Sequence, residues 1–180
     1  MFKNFILTAV AILFISGCGR AEKIARIEQK CANNEAVWCL KLGKTYARRD
    51  INKGVMYYQK ACDLGDKRGC YRLAVLLNSK SINSKKDNET IVKSLTKSCD
   101  LGTPKACFEL GEYYEDDPKM QSKANELFAK SCEQRFGLAC YKLADFYDEK
   151  NDAATQKSYL ELACKYRYKA ACEEVGEDKK

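Results

Sequence analysis

Histidine is absent from this 180-residue chain. Its absence excludes a Ser-His-Asp triad, a Cys-His nucleophile and a histidine-ligated zinc hydrolase. It also excludes c-type haem attachment. No Cys-x-x-Cys occurs, so the closely spaced thiolates of structural zinc sites are missing too. Long single-sign charge blocks are lacking: 32 basic and 25 acidic side chains are interspersed. A dispersed excess of that kind serves solubility rather than nucleic-acid binding. The N-terminal apolar run, Phe5 to Ile15, falls well short of the roughly 20 residues that cross a bilayer.

Cysteine is what the chain has in quantity. Ten of its 11 cysteines form five pairs, each with seven residues between its members. The pairs are Cys31/Cys39, Cys62/Cys70, Cys99/Cys107, Cys132/Cys140 and Cys164/Cys172. A spacing repeated five times without exception marks a repeated module. The first cysteines lie 31, 37, 33 and 32 residues apart, a period that indicates a helix–turn–helix solenoid.

After each second cysteine, one helical face (helix A) recurs. Leu42, Leu73, Leu110 and Leu143 come three residues on, followed by Gly43, Ala74, Gly111 and Ala144. Tyr46, Leu77, Tyr114 and Tyr147 complete the i, i+3, i+4, i+7 stripe. The small residue has a packing reason, since it admits a close neighbour at a cost of up to about 1 kcal/mol in helix propensity. Helix B precedes each first cysteine, as in Val55 to Cys62 and Ala124 to Cys132. Gly65 and Gly102 suit the C′ position after two of these helices, and Pro104 suits a helix start. Each cysteine pair therefore straddles a B-to-A corner. Antiparallel helices joined by a short turn bring its members together, so each pair is expected to close its own local disulfide. The link Glu133-Gln-Arg-Phe-Gly lacks the Asp-Leu-Gly turn that follows Cys62 and Cys99.

The N-terminus reads as an export signal. Lys3 precedes the short apolar stretch, which ends Ile15-Ser16-Gly17-Cys18. That ending resembles a bacterial lipoprotein lipobox. The resemblance implies a signal peptide over 1–17, a lipid on Cys18 and a mature domain over 18–180. Gly19, rather than an aspartate, implies outer-membrane sorting by similarity to enterobacterial signals, facing the periplasm or exterior, with shedding as a variant. Ten cysteines in an exported chain imply disulfides.

Together the motifs resemble the Sel1-like repeat, a relative of the tetratricopeptide repeat, and within it the Helicobacter cysteine-rich proteins. The resemblance covers about residues 24–176, with a short charged tail at 177–180. It implies an all-α, α/α-solenoid fold and a monomeric scaffold that binds a protein, peptide or peptidoglycan-type fragment. It also implies a second function, since that family has been linked to penicillin binding and weak β-lactam hydrolysis. Ser94-Leu-Thr-Lys97 fits the Ser-x-x-Lys of serine β-lactamases. However, Ser81-Ile-Asn83 precedes it, opposite to the usual order, and no Lys-Thr-Gly follows. The bland reading of Ser94 is a surface serine beside a solvated lysine. Gly43-Lys44-Thr45 mimics the end of a phosphate loop, but Trp38 holds the required glycine position. Glu112 and Asp145, at equivalent helix A positions, are expected to be surface charge. No cofactor or metal is expected.

In relatives of this repeat helix A lines a concave side. One row beside the Leu-Gly/Ala ridge reads Lys41, Arg72, Glu109, Lys142, and the next reads Thr45, Leu76, Tyr113, Phe146. Lys41, Arg72, Tyr113, Lys142 and Phe146 are thus the candidate groove residues: an aromatic floor with a basic flank, suited to an extended peptide or a carboxylate-bearing polymer. The competing reading packs the aromatic row against the next repeat.

Overall fold

The computed structural model describes residues 19, 21–79 and 85–176. The signal segment, Cys18, Ser81 to Asn83 and the 177–180 tail lie outside the described residues. Among the described residues all regular structure is helical. After α1 (21–32) come α2 (Ala36–Tyr46), α3 (Ile51–Asp63), α4 (Lys67–Ser79), α5 (Lys85–Asp100) and α6 (Pro104–Glu115). Then follow α7 (Gln121–Glu133), α8 (Gly137–Glu149), α9 (Ala153–Lys165) and α10 (Lys169–Val175). Even-numbered helices are the A helices of the repeat and odd-numbered ones the B helices. The chain forms two compact units, Met1–Gly69 and Cys70–Lys180, divided inside α4.

In the first unit α2 packs on α3 through Gly43, where any Cβ would overlap the Tyr58 ring. Asp50 caps α3, accepting a hydrogen bond from the Lys53 N–H at 3.1 Å. The Tyr46 and Tyr57 rings stack at 5.6 Å, and both hydroxyls donate to Glu28 of α1, at 3.2 and 3.3 Å.

In the second unit sequential helices pack side by side, α5 on α6, α6 on α7, and so on to α10. Phe108, Phe128, Leu143, Ala163 and Ala171 share one buried cluster. A Cβ on Gly111 would lie 2.6 Å from the Phe128 ring. The small residue of helix A therefore seats the side chain four positions before the next cysteine. Where helix A carries glycine, helix B carries an aromatic: Gly43 with Tyr58, Gly111 with Phe128. The same two registers elsewhere hold Ala74 with Leu95 and Ala144 with Leu160, so volume given up on one side is filled from the other.

The corners repeat as the cysteine spacing predicts. Cys31–Cys39, Cys99–Cys107, Cys132–Cys140 and Cys164–Cys172 are disulfides with Cα–Cα distances of 4.8, 4.7, 4.8 and 4.5 Å. Cys62 and Cys70 are disulfide-bonded as well. Three residues after each first cysteine the backbone turns left-handed, at Asn34, Gly65, Gly102, Arg135 and Arg167. Two hydrogen bonds then close each helix end. At Gly65 its N–H donates to the Cys62 carbonyl and the Asp66 N–H to the Ala61 carbonyl, both at 2.9 Å. The Arg135 corner makes the same pair, to Cys132 at 2.8 Å and Ser131 at 3.2 Å. This is the Schellman pattern. The Cys132 corner, without Asp-Leu-Gly, thus keeps the turn and places an arginine where glycine costs least.

Small side chains let the two helices meet at each corner. Ala61, Ser98, Ser131 and Ala163 before the first cysteine are fully buried, as are Ala106, Ala139 and Ala171 before the second. At Gly69 an added Cβ would lie 2.7 Å from that of Ala61. The first corner departs from this rule, with Lys30 and Trp38 in the two registers. There the Lys30 ammonium sits 4.3 Å from the indole centroid, a cation–π contact.

Candidate functional site

The second unit carries a groove of about 610 Å³ between α4, α5 and α6. Ala74, Ile91 and Leu95 form its floor, and Val75 and Tyr113 stand exposed on its walls. Lys105, Glu109 and Glu112 of α6 supply its charge. Tyr113 is 50 % exposed, with its ring edge-on to Tyr114 at 5.4 Å. A smaller cleft of about 470 Å³ holds Phe146 beside Leu143 and Tyr147, with the Lys150 ammonium 5.5 Å from the Phe146 ring.

In the row two residues after each second cysteine, Glu109, Lys142 and Glu174 tie repeats together. Tyr71 donates to Glu109 at 2.6 Å, and Tyr141 donates to Glu174 at 2.6 Å. Each clasp joins the residue after one cysteine to the second residue after the next repeat's cysteine. Phe108 interrupts the series; it has no hydroxyl and packs instead on Phe128 and Phe136. Its row partner Lys142 bonds the Glu115 carboxylate at 2.8 and 3.2 Å. The Glu174 hydrogen bond, then burial, pushes the Tyr141 phenol up to about 12. Burial and the Glu109 bond raise that of Tyr71 further.

Acids dominate the electrostatics here. Partial burial raises the pKa of Glu112, with Glu115 and Glu109 adding to the shift and Lys142 and Lys105 opposing it. Asp145 is raised likewise by burial and by Glu174. Burial works against the Lys142 charge, but the Glu115 bond and the charges of Glu112 and Asp145 outweigh it, and its pKa is raised.

Of the five candidate groove residues, only Tyr113 lines the larger groove, and Phe146 has its own cleft. Lys41 belongs to the first unit, with its ammonium 4.8 Å from the Trp38 ring centroid. Arg72 is exposed on α4 but lines neither cleft, and Lys142 is held by Glu115. The groove residues beyond the expected set include Tyr71, Val75 and Glu112. Val75 and Glu112 share one register, five residues after the cysteine, which marks them in the sequence.

Ser94 is only 4 % exposed and is absent from the groove lining, so the expectation of a surface serine is corrected. It lies on the buried side of α5, one position before the floor residue Leu95. Lys97 is half-buried one turn later. No group of three or more metal-ligating side chains occurs among the described residues.

Comparison with known proteins follows this geometry. The sequence model of the Sel1 repeat matches residues 32–66 and 104–136. These two stretches are Sel1 repeats. The two matched stretches are those with the Gly43–Tyr58 and Gly111–Phe128 pairs; the repeats built on Ala74 and Ala144 share the helices and the cysteines. No curated protein matches the chain. Among solved structures, a Sel1 repeat protein from Oxalobacter formigenes is similar at 17 % identity and TM-score 0.70, over 86 % of this chain and 68 % of that one. A protective antigen of uropathogenic Escherichia coli with an SLR fold aligns at 21 % identity and TM-score 0.70, over 86 % of this chain. This chain spans only 35 % of that antigen's length. Helicobacter pylori cysteine-rich protein B is 26 % identical with TM-score 0.54, over 70 % of this chain and 95 % of its own. The first two likenesses are of fold; the third shares the cysteine-rich character as well.

Proposed function

We propose that this Sel1 repeat chain is an exported, lipid-anchored scaffold that binds an extended segment of a partner protein on its A helices. Sel1 repeats generally serve protein–protein interaction. The observation that carries the reading is the groove between α4, α5 and α6, with apolar side chains exposed on its walls and a buried apolar floor beneath. Exposed apolar surface in a concave site is what an extended peptide would cover. The five disulfides fit an oxidising, extracytoplasmic environment. The lipobox resemblance supports cleavage after residue 17 and a lipid on Cys18. The charge distribution agrees with such anchoring: residues 18–69 carry 12 basic and 6 acidic side chains, whereas 70–180 carry 19 of each. A basic segment beside the lipid adds attraction to an anionic membrane surface.

The test is a panel of capped nonapeptides titrated against the oxidised Cys18→Ala protein. Saturable binding lost in Tyr113→Ala and kept in Leu101→Ala, a change to an exposed apolar residue at a corner, supports the scaffold. Binding unaffected by Tyr113→Ala would remove this face from the account. The β-lactam reading gains nothing from the buried position of Ser94.

A further inference from the structure

Resting on that reading, we infer that the α4–α5–α6 groove selects a peptide with a cationic side chain, lysine or arginine, seated against Glu112. Three features of the groove converge on that chemistry. First, its carboxylates are not equivalent. Glu109 is engaged by the Tyr71 hydroxyl at 2.6 Å and faces Lys105 at 3.8 Å. Glu112 lines the same groove, is exposed, and makes no ion pair among the described residues. Second, Lys142, whose charge acts on Glu112, is already committed, because it is bonded to both oxygens of Glu115. Third, the walls beside Glu112 are Tyr113 and Val75, both exposed. A lysine or arginine stem packs along such a surface while its head stays at the carboxylate, and the Tyr113 ring face adds a cation–π site. A carboxylate-bearing ligand would meet Glu109 and Glu112 at the same rim with Lys105 as their sole cation in the lining among the described residues. The sign of the groove is therefore opposite to that expected from the Lys41, Arg72, Lys142 row.

Fluorescence anisotropy with three labelled nonapeptides, identical except for a central lysine, norleucine or glutamate between leucine and tyrosine, tests the inference on the oxidised Cys18→Ala protein. The lysine peptide should bind at least tenfold more tightly than the glutamate peptide. Glu112→Gln should erase most of that preference while leaving the norleucine peptide unchanged. Tyr113→Ala should weaken both the lysine and norleucine peptides. Circular dichroism melting checks that each variant is folded. Equal binding of all three peptides, tighter binding of the glutamate peptide, or a lysine preference that survives Glu112→Gln overturns the cation inference and leaves the peptide-scaffold reading standing. Absence of saturable binding by any of the three, in a folded sample, overturns both.

Discussion

Replacing Gly111 with alanine should destabilise the protein, and replacing Phe128 with leucine should reverse the sign of that effect. The added methyl would stand 2.6, 2.8 and 3.1 Å from Cε1, Cδ1 and Cζ of Phe128. Carbon atoms are comfortable at about 3.5–4.0 Å, so the ring must retreat by about 1 Å. It has nowhere easy to go, because Phe128 is buried and packs on Phe108 at 5.5 Å, which in turn meets Phe136 at 5.2 Å. Overpacking of this kind costs about 1–3 kcal/mol, offset by about 1 kcal/mol of helix propensity gained over glycine. The expected net loss is about 1 kcal/mol. In a Phe128→Leu background the clash is gone and only the propensity gain is left, so Gly111→Ala should stabilise by up to about 1 kcal/mol. The coupling is then about 2 kcal/mol, read from a double-mutant cycle of urea unfolding midpoints at constant m. The Ala144 and Leu160 registers already show the compensated pair within the same chain. Additivity within about 0.5 kcal/mol would refute the volume exchange between the two registers.

Other expectations follow from the corners and clasps. Removing Cys132–Cys140 by a double serine substitution should cost about 2.5 kcal/mol by the loop-entropy estimate for a nine-residue ring, measured by urea unfolding. The loss should resemble that from removing Cys99–Cys107, because both bridges span eight positions in sequence. Arg135→Gly should stabilise by about 0.5–1 kcal/mol, since Arg135 holds φ at 67° in the left-handed region; a fall in the unfolding midpoint would contradict the strain argument. Tyr141 keeps its proton up to about 12 because of Glu174. Its clasp therefore contributes fully below the ordinary phenol pKa of about 10 and is lost as pH rises from there through 12. Ultraviolet titration should show late-ionising phenols whose number falls by one in Tyr141→Phe, with that of Tyr71 remaining.

What the sequence reveals here is whatever repeats in register. The cysteine pairs, the Leu-Gly/Ala step and the Gly65 and Gly102 turns recur at fixed offsets, so helix order, corners and local disulfides could be read directly. The Arg135 and Arg167 corners show that the turn is imposed by packing and by the bridge, even where glycine is missing. The site was less legible for a different reason. Lys142 looks like a groove cation until Glu115, 27 positions earlier, is found within 2.8 Å. Tyr71 meets Glu109 across 38 positions of sequence. Such partners depend on how successive repeats align in space, which a single helical face does not encode. Ser94 was misplaced because α5 presents its serines, Ser94 and Ser98, inward while Lys93 and Thr96 face out. Volume exchange between Gly111 and Phe128 was present in the sequence, in the residue four before each cysteine, but only contact geometry gives it meaning.

The central claim is that the α4–α5–α6 groove, rather than a buried catalytic residue, is the working surface of this scaffold. Amide and side-chain NMR shifts of the oxidised Cys18→Ala protein, followed during titration with the lysine nonapeptide, test it most directly. The account predicts saturable shifts centred on Val75, Ile91, Glu112 and Tyr113, with Ser94 and the cysteine corners unmoved. Shifts centred elsewhere, or none in a folded sample, would contradict it.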